Sequence, residues 1–310
     1  MSSGLRRWAG DYLELRDRCG YRTEDHRQLL TGFLDYLDQQ GASTIRVGDA
    51  LAWASQPQGA TSGWRAHRLA AVRSFAAHVH ASEPDTAELI PAGLLPARRN
   101  RSAPYLYTDT QIATVIHRAR LLAPIVRGQT LATVIGLMAA TGMRTSETVG
   151  LNTTSFDASG RTIRVLGKGG SHRLLPLHPS TVTALSDYLT TSRGLVGQPP
   201  GGSLFVTQRA TRPSANSVQQ AFRRVAEGCR LPVPAGRRAP RLHDLRHTFA
   251  VNTLLEAHRD GVDVGARIAA LATYLGHATP ANTYWYLTAS PELLDLVNDR
   301  IQAHQQQDLP

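Results

Sequence analysis

The chain has 310 residues, 42% of them hydrophobic and 19% charged, with 34 Lys+Arg against 24 Asp+Glu and a formal net charge of +10. That length is a prior for two domains that bury their own cores. The basic excess is mostly arginine, whose rigid fork of donors suits phosphate, and it points to a polyanionic partner such as nucleic acid. Two cysteines, Cys19 and Cys229, exclude a disulfide framework and a cysteine metal cluster. Met1 to Gly10 has no signal-peptide apolar core. The most apolar run, Leu131 to Ala140, is far short of the ~20 residues that span a bilayer. A cytoplasmic protein with no membrane partner is expected.

Residues from about 5 to 80 read as helices. Leu5, Trp8, Tyr12 and Leu15 recur at helical spacing, as do Leu29, Leu30, Phe33, Leu34 and Leu37 before a stop at Gly41. Ser43 or Thr44 is positioned to open a short helix through Ala50 to Trp53, and Gln56 to Gly63 is a loop. Trp64 to Val79 is a further helix with Leu69, Val72, Phe75, Ala76 and Val79 inward. From Glu83 to Pro104 the pattern changes: Pro84, Pro91, Pro96 and Pro104 punctuate a basic stretch carrying Arg98, Arg99 and Arg101. It reads as an extended linker able to track a phosphate backbone. The expected boundaries are a helical domain over 1–85, a linker over 86–104 and a second domain over 105–310.

In the second domain, Thr108 or Asp109 caps a helix carrying Ile112, Val115, Ile116 and Ala119. Leu131 to Ala140 reads as a buried helix ending at Thr141-Gly142, with Arg144 at the break and Ser146-Glu147 opening the next turn. Arg161–Leu166 and His172–Leu177 alternate and flank Gly167-Lys168-Gly169-Gly170-Ser171, which reads as a β-hairpin with Lys168 at its tip. Helices follow over Thr181–Tyr188, Asn216–Glu227, His243–Glu256 and Ala266–Leu275, with a short strand over Ser203–Thr207. An amphipathic helix is expected over Pro291–Ala303. The fold class is therefore mainly α with a small antiparallel β-sheet (α+β).

Breaking a phosphodiester without a metal needs fixed positive donors on the nonbridging oxygens, a proton donor for the leaving oxygen and a nucleophile. Arg144, Lys168, His243, Arg246, His277 and Tyr286 supply such groups, each at an element end, a hairpin tip or a helix start. His243 and Arg246, three residues apart, share one helix face. Tyr284 is a second tyrosine in the same stretch and competes with Tyr286 as nucleophile. No clustered carboxylates support a metal-dependent nuclease, so neither metal nor cofactor is expected.

These blocks resemble the tyrosine recombinases, the phage-integrase and Xer-like family. The resemblance covers about residues 105–300 and is carried by Thr141-Gly142-Met143-Arg144-Thr145-Ser146-Glu147, Gly167-Lys168-Gly169, His243-Asp244-Leu245-Arg246-His247-Thr248-Phe249-Ala250, Leu275-Gly276-His277 and Tyr286. It implies an N-terminal core-type DNA-binding domain followed by a catalytic domain. It also implies that Tyr286, nine residues after His277, attacks the scissile phosphate to leave a 3′-phosphotyrosyl DNA. Arg144 and Arg246 would hold the nonbridging oxygens, and Lys168 would protonate the leaving 5′-oxygen. His243 would assist proton transfer, His277 would hydrogen-bond the phosphate, and Glu147 would support the site without touching it. The implied partners are double-stranded DNA recombination sites and three further copies in a tetramer on DNA, or sister recombinases; neither ATP nor metal is implied. The spacing from Glu256 to Tyr274 and the segments 283–287 and 291–294 look more like integrases carried by transposable elements than like chromosome-dimer resolvases. The alternatives are a type IB topoisomerase-like relaxing enzyme and a catalytically silent DNA-binding accessory protein.

Overall fold

The structure is a computed structural model that describes residues 3–21, 23–56, 58–96, 103–167, 170–197, 200–233, 238–277, 281–284 and 286. The chain divides into two compact units, Met1–Arg101 and Ser102–Pro310.

The first unit is helical: α1 (Ser3–Arg18), α2 (Glu24–Gln39), α3 (Val47–Ser55) and α4 (Ser62–Ser82). The apolar stripe of α2, Leu29, Leu30, Phe33, Leu34 and Leu37, is buried against Val72, Phe75 and Val79 of α4 and Trp53 of α3. Thr61 caps α4 by accepting from the Trp64 backbone N–H. The start of α3 departs from expectation. Neither Ser43 nor Thr44 caps it; Arg46 stands at its N-cap without a side-chain bond. The cause is long-range pairing. Ile45 bridges Ala87 in parallel fashion, accepting from Glu88 N–H and donating to Thr86 O. Ala87 and Ile90 are buried in the first unit's core, and Leu95 packs against it. The folded part of the unit thus runs on past residue 85. The basic trio Arg98, Arg99 and Arg101 lies outside the described residues.

The second unit opens with α5 (Asp109–Arg120), which Thr108 caps with a reciprocal Gln111 bond, and α6 (Ile125–Thr141). Next come α7 (Thr145–Val149) and a three-stranded antiparallel sheet of β1 (Phe156–Asp157), β2 (Thr162–Leu166) and β3 (His172–Pro176). The β2–β3 register pairs Val165 with Arg173 and Ile163 with Leu175, which places Ile163, Val165 and Leu175 in the core. Then follow α8 (Pro179–Asp187), α9 (Ala215–Gly228), α10 (Asp244–Arg259), α11 (Val264–Leu275) and α12 (Ala281–Tyr284). Helix α6 is the central element, packing on α5, α7, α8, α9 and α10.

The expected strand over Ser203–Thr207 is not a ladder. Only Ser203 bridges, to Asn152, while Leu204, Phe205 and Val206 are buried as irregular chain against the core. The mainly helical fold with one small antiparallel sheet is as the sequence implies. The hairpin tip at Lys168 and the expected helix over 291–303 lie outside the described residues.

Candidate active site

The site forms where α6 stops. Gly142 adopts a left-handed conformation (φ +62°) and its N–H closes on Met138 O. A side chain here would collide with the neighbouring element: a Cβ would lie 2.6 Å from Phe249 Cδ1. The turn throws Arg144 onto the N-cap of α7, where Glu147 accepts from its backbone N–H (2.9 Å) and from its Nη1 (2.7 Å). Arg144 Nη2 also donates to Gly276 O at 3.2 Å, joining α7 to the end of α11.

Arg246, on the first turn of α10, is only 1% exposed. Its Nη1 donates to Gly142 O and its Nη2 to Leu275 O, both at 2.7 Å. A buried guanidinium needs such partners, because stripping its water without replacement costs several kcal/mol or more. Burial, and after it the nearby Arg144 charge, lower the Arg246 pKa to about 10, against the opposing pull of Tyr286 and Glu147. The guanidinium stays charged at neutral pH.

Helix α10 is set in place by the other residues of its opening block. Asp244, 1% exposed, accepts from Arg241 N–H (2.9 Å) and Nη2 (2.8 Å). Thr248 Oγ1 donates to Asp244 O and accepts from Tyr107 N–H. His243 stands at the N-cap, its ring edge-on to His247 at 4.9 Å between centroids. Burial, then Arg246, hold His243 below its usual pKa. His247, buried and next to His243, is pushed down to about 3. His277 is pushed down to about 4 by burial, then by Arg246 and Arg144. All three imidazoles are neutral at pH 7, each with one ring nitrogen to donate a hydrogen bond and one to accept.

His277 follows the left-handed Gly276 that ends α11, and its Nδ1 lies 2.7 Å from Thr283 Oγ1. Tyr286 is 3% exposed; its ring lies 5.9 Å from His277, nearly parallel, and 5.5 Å from His247. It also packs on Ala250, Leu254, Leu271 and Leu275. Tyr284, by contrast, is 54% exposed. Five of the six candidate residues, Arg144, His243, Arg246, His277 and Tyr286, thus converge, with Glu147 behind Arg144. Lys168 lies outside the described residues.

Arg173 is the residue that sequence reasoning passed over. Its Nη2 and Nη1 donate to Glu147 Oε2 (2.7 Å) and Oε1 (3.2 Å). Burial alone would raise the Glu147 pKa, but the bonds from Arg173 and from the Arg144 backbone outweigh it and hold the carboxyl below its usual value. The available signal was an arginine on β3 opposite Val165, a position of the hairpin that faces the core.

A family model described as the phage integrase family matches residues 113–292. The chain is 33% identical over 307 residues to the "Putative integrase/recombinase y4rB" of Sinorhizobium fredii (strain NBRC 101917 / NGR234), covering 97% of this chain and 98% of that one. It is 32% identical over 226 residues to the tyrosine recombinase XerD of Mycobacterium tuberculosis (strain ATCC 25618 / H37Rv), covering 71% and 68%. Among solved structures, the Tn1549 transposon integrase in complex with transposon right end DNA superposes with a TM-score of 0.65 at 17% identity, covering 98% of this chain and 99% of that one. The recombinase XerH bound to a palindromic difH substrate gives 0.64 at 16% identity, covering 87% and 77%. The chain belongs to the phage integrase family and is a tyrosine recombinase.

Proposed function

We propose that the chain is a site-specific DNA recombinase that cuts and rejoins strands through a covalent 3′-phosphotyrosyl intermediate. The observation that carries the reading is the burial of Tyr286 against His247, His277 and the Arg246 guanidinium, with Arg144 bonded to the same α11 terminus. Tyr286 Oη forms a bond to phosphorus as the bond from phosphorus to the 5′-oxygen breaks. His243, neutral in this setting, helps take the phenolic proton, and Lys168 returns one to the departing 5′-oxygen. Arg144 and Arg246 neutralise the charge that builds on the nonbridging oxygens, and His277 hydrogen-bonds the same phosphate. The phosphodiester energy is kept in the phosphotyrosine, so attack by a 5′-hydroxyl reseals DNA without ATP, and no step calls for a metal.

In this reading the first unit grips DNA as a core-binding domain, Arg98, Arg99 and Arg101 follow the backbone, and the second unit is catalytic. The partners are double-stranded recombination sites and further copies of the chain, four on a synapsed pair of sites. The Tn1549 integrase solved with transposon DNA supports a role in mobile-element transposition. Among the described residues no helix is long and apolar enough to cross a membrane; the reading places the work in the cytoplasm.

The test uses duplexes tiled across the DNA flanking the chain's own gene and nicked at successive positions, so that the short 5′-hydroxyl fragment escapes after cleavage. Wild type and Tyr284→Phe should become covalently attached, and Tyr286→Phe should not. Attachment by Tyr286→Phe but not by Tyr284→Phe would transfer the nucleophile to Tyr284. Relaxation of any supercoiled plasmid, with no site preference, would favour a topoisomerase.

A further inference from the structure

We propose that Arg173 is a positioning residue for strand cleavage: by taking a share of the Glu147 carboxylate, it keeps the Arg144 guanidinium available to the scissile phosphate. This role rests on the reading of the chain as a strand-cleaving recombinase.

Glu147 carries one negative charge between two guanidinium groups. Its Oε1 accepts from Arg144 Nη1 at 2.7 Å and from Arg173 Nη1 at 3.2 Å. Its Oε2 accepts from the Arg144 backbone N–H at 2.9 Å and from Arg173 Nη2 at 2.7 Å. The carboxylate is therefore filled by four donors, and only one of them is an Arg144 side-chain nitrogen. The side chains are layered: Glu147 is 6% exposed, Arg173 14% and Arg144 35%. The outermost cation is the one that a phosphate meets first.

Without Arg173, one carboxylate would face one arginine. A fork-to-fork pair would then satisfy both, and its net charge would be zero. With Arg173 present, the Glu147 group retains a net charge of +1, and Arg144 keeps donors to spare. Arg173 also presses on the third element of the site. A Cβ on Gly276 would lie 2.9 Å from Arg173 Nη1, so the guanidinium lies against the turn that precedes His277. The β-hairpin that bears Lys168, the α7 N-terminus and the His277 turn thus meet at this one side chain. Lysine would not replace it, since a single ammonium is a point charge and cannot bridge both Glu147 oxygens in a planar fork.

The experiment measures single-turnover covalent attachment of the full chain to the nicked flanking duplexes. Arg173→Ala should slow attachment by about 10- to 100-fold, the scale of a misplaced catalytic group, while DNA affinity changes by less than about twofold. Arg173→Lys should recover only part of the rate. The decisive variant is Arg173→Ala combined with Glu147→Gln. Removing the charge that neutralises Arg144 should make the double variant faster than Arg173→Ala alone. A merely structural ion pair predicts the opposite, since the second change would remove further stabilisation. A double variant as slow as Arg173→Ala or slower overturns the role, as does an Arg173→Ala rate equal to wild type. A wild-type chain that attaches to none of the duplexes overturns the recombinase reading and the role with it.

Discussion

Of the 34 basic residues, 33 are arginines, and Lys168 is the chain's single lysine. An arginine of ordinary pKa, above 12, is a poor general acid, and Arg246, though lowered to about 10, keeps its nitrogens on the Gly142 and Leu275 carbonyls. The chain thus places its one lysine at the hairpin turn, a cation that gives up a proton far more readily than an ordinary arginine. Gly167 N–H closes on Ser171 O at 2.7 Å, so the flanks of that turn are fixed. Lys168→Arg should therefore keep DNA binding yet lower the cleavage rate by about 10²- to 10⁴-fold, the range for loss of general-acid assistance. A substrate with sulfur in place of the leaving 5′-oxygen needs no protonation to depart. On that substrate wild type and Lys168→Arg should cleave at similar rates, as judged by covalent attachment in single turnover. A persistent gap would show that Lys168 serves through charge or packing.

At the scale of elements, the site hangs on the end of α6. The Gly142 carbonyl anchors Arg246 Nη1, and the Gly142 backbone needs a positive φ. Gly142→Ala should cost about 1–2 kcal/mol from the left-handed backbone alone, and more because Phe249 Cδ1 stands where the methyl would go. A lower midpoint in thermal unfolding, with weaker covalent attachment at temperatures where the variant is folded, is the expected pair of results. Unchanged stability would mean that Phe249 and the turn yield freely. This turn was legible in the sequence because a nearly all-apolar run stopped at a glycine. Helix α2 was legible for the same kind of reason, with five apolar residues on one face. The misses share a physical cause, which is dependence on distant partners. The two-residue β1 carries no pattern of its own and exists by pairing Phe156 with Ile163. Leu204, Phe205 and Val206 share the apolar character of a strand but are buried without pairing. The α3 start follows from Ile45 bridging Ala87, 42 residues away. Arg173 was missed because its meaning lies in Glu147, on another element. Motifs reveal residues that touch a substrate more readily than those that hold the first set in place.

For the whole molecule the net charge of +10 sets the terms of association. A cation that neutralises a phosphate releases condensed counterions, so binding weakens with salt in proportion to the number of contacts. Fold and catalytic geometry do not require such an excess, because each buried cation of the site is already partnered: Arg173 by Glu147, and Arg246 by two carbonyls. The surplus positive charge, carried by arginines, thus favours a polyanion such as DNA. Arg98, Arg99 and Arg101 form the densest run of them in the sequence and sit beside the boundary between the two units at Arg101. If each neutralises one phosphate, changing all three to alanine should make the slope of log K against log salt shallower by roughly 2 to 3, at about 0.9 per contact on duplex DNA. On the same premise the rate of covalent attachment at saturating protein should stay unchanged, since contacts to flanking backbone do not involve the scissile phosphate. Binding titrations over a range of salt, with wild type and the triple variant on one duplex, measure the slope directly. An unchanged slope would remove the trio from the DNA interface. A changed slope accompanied by slower chemistry would instead make this stretch part of how DNA is seated in the catalytic unit.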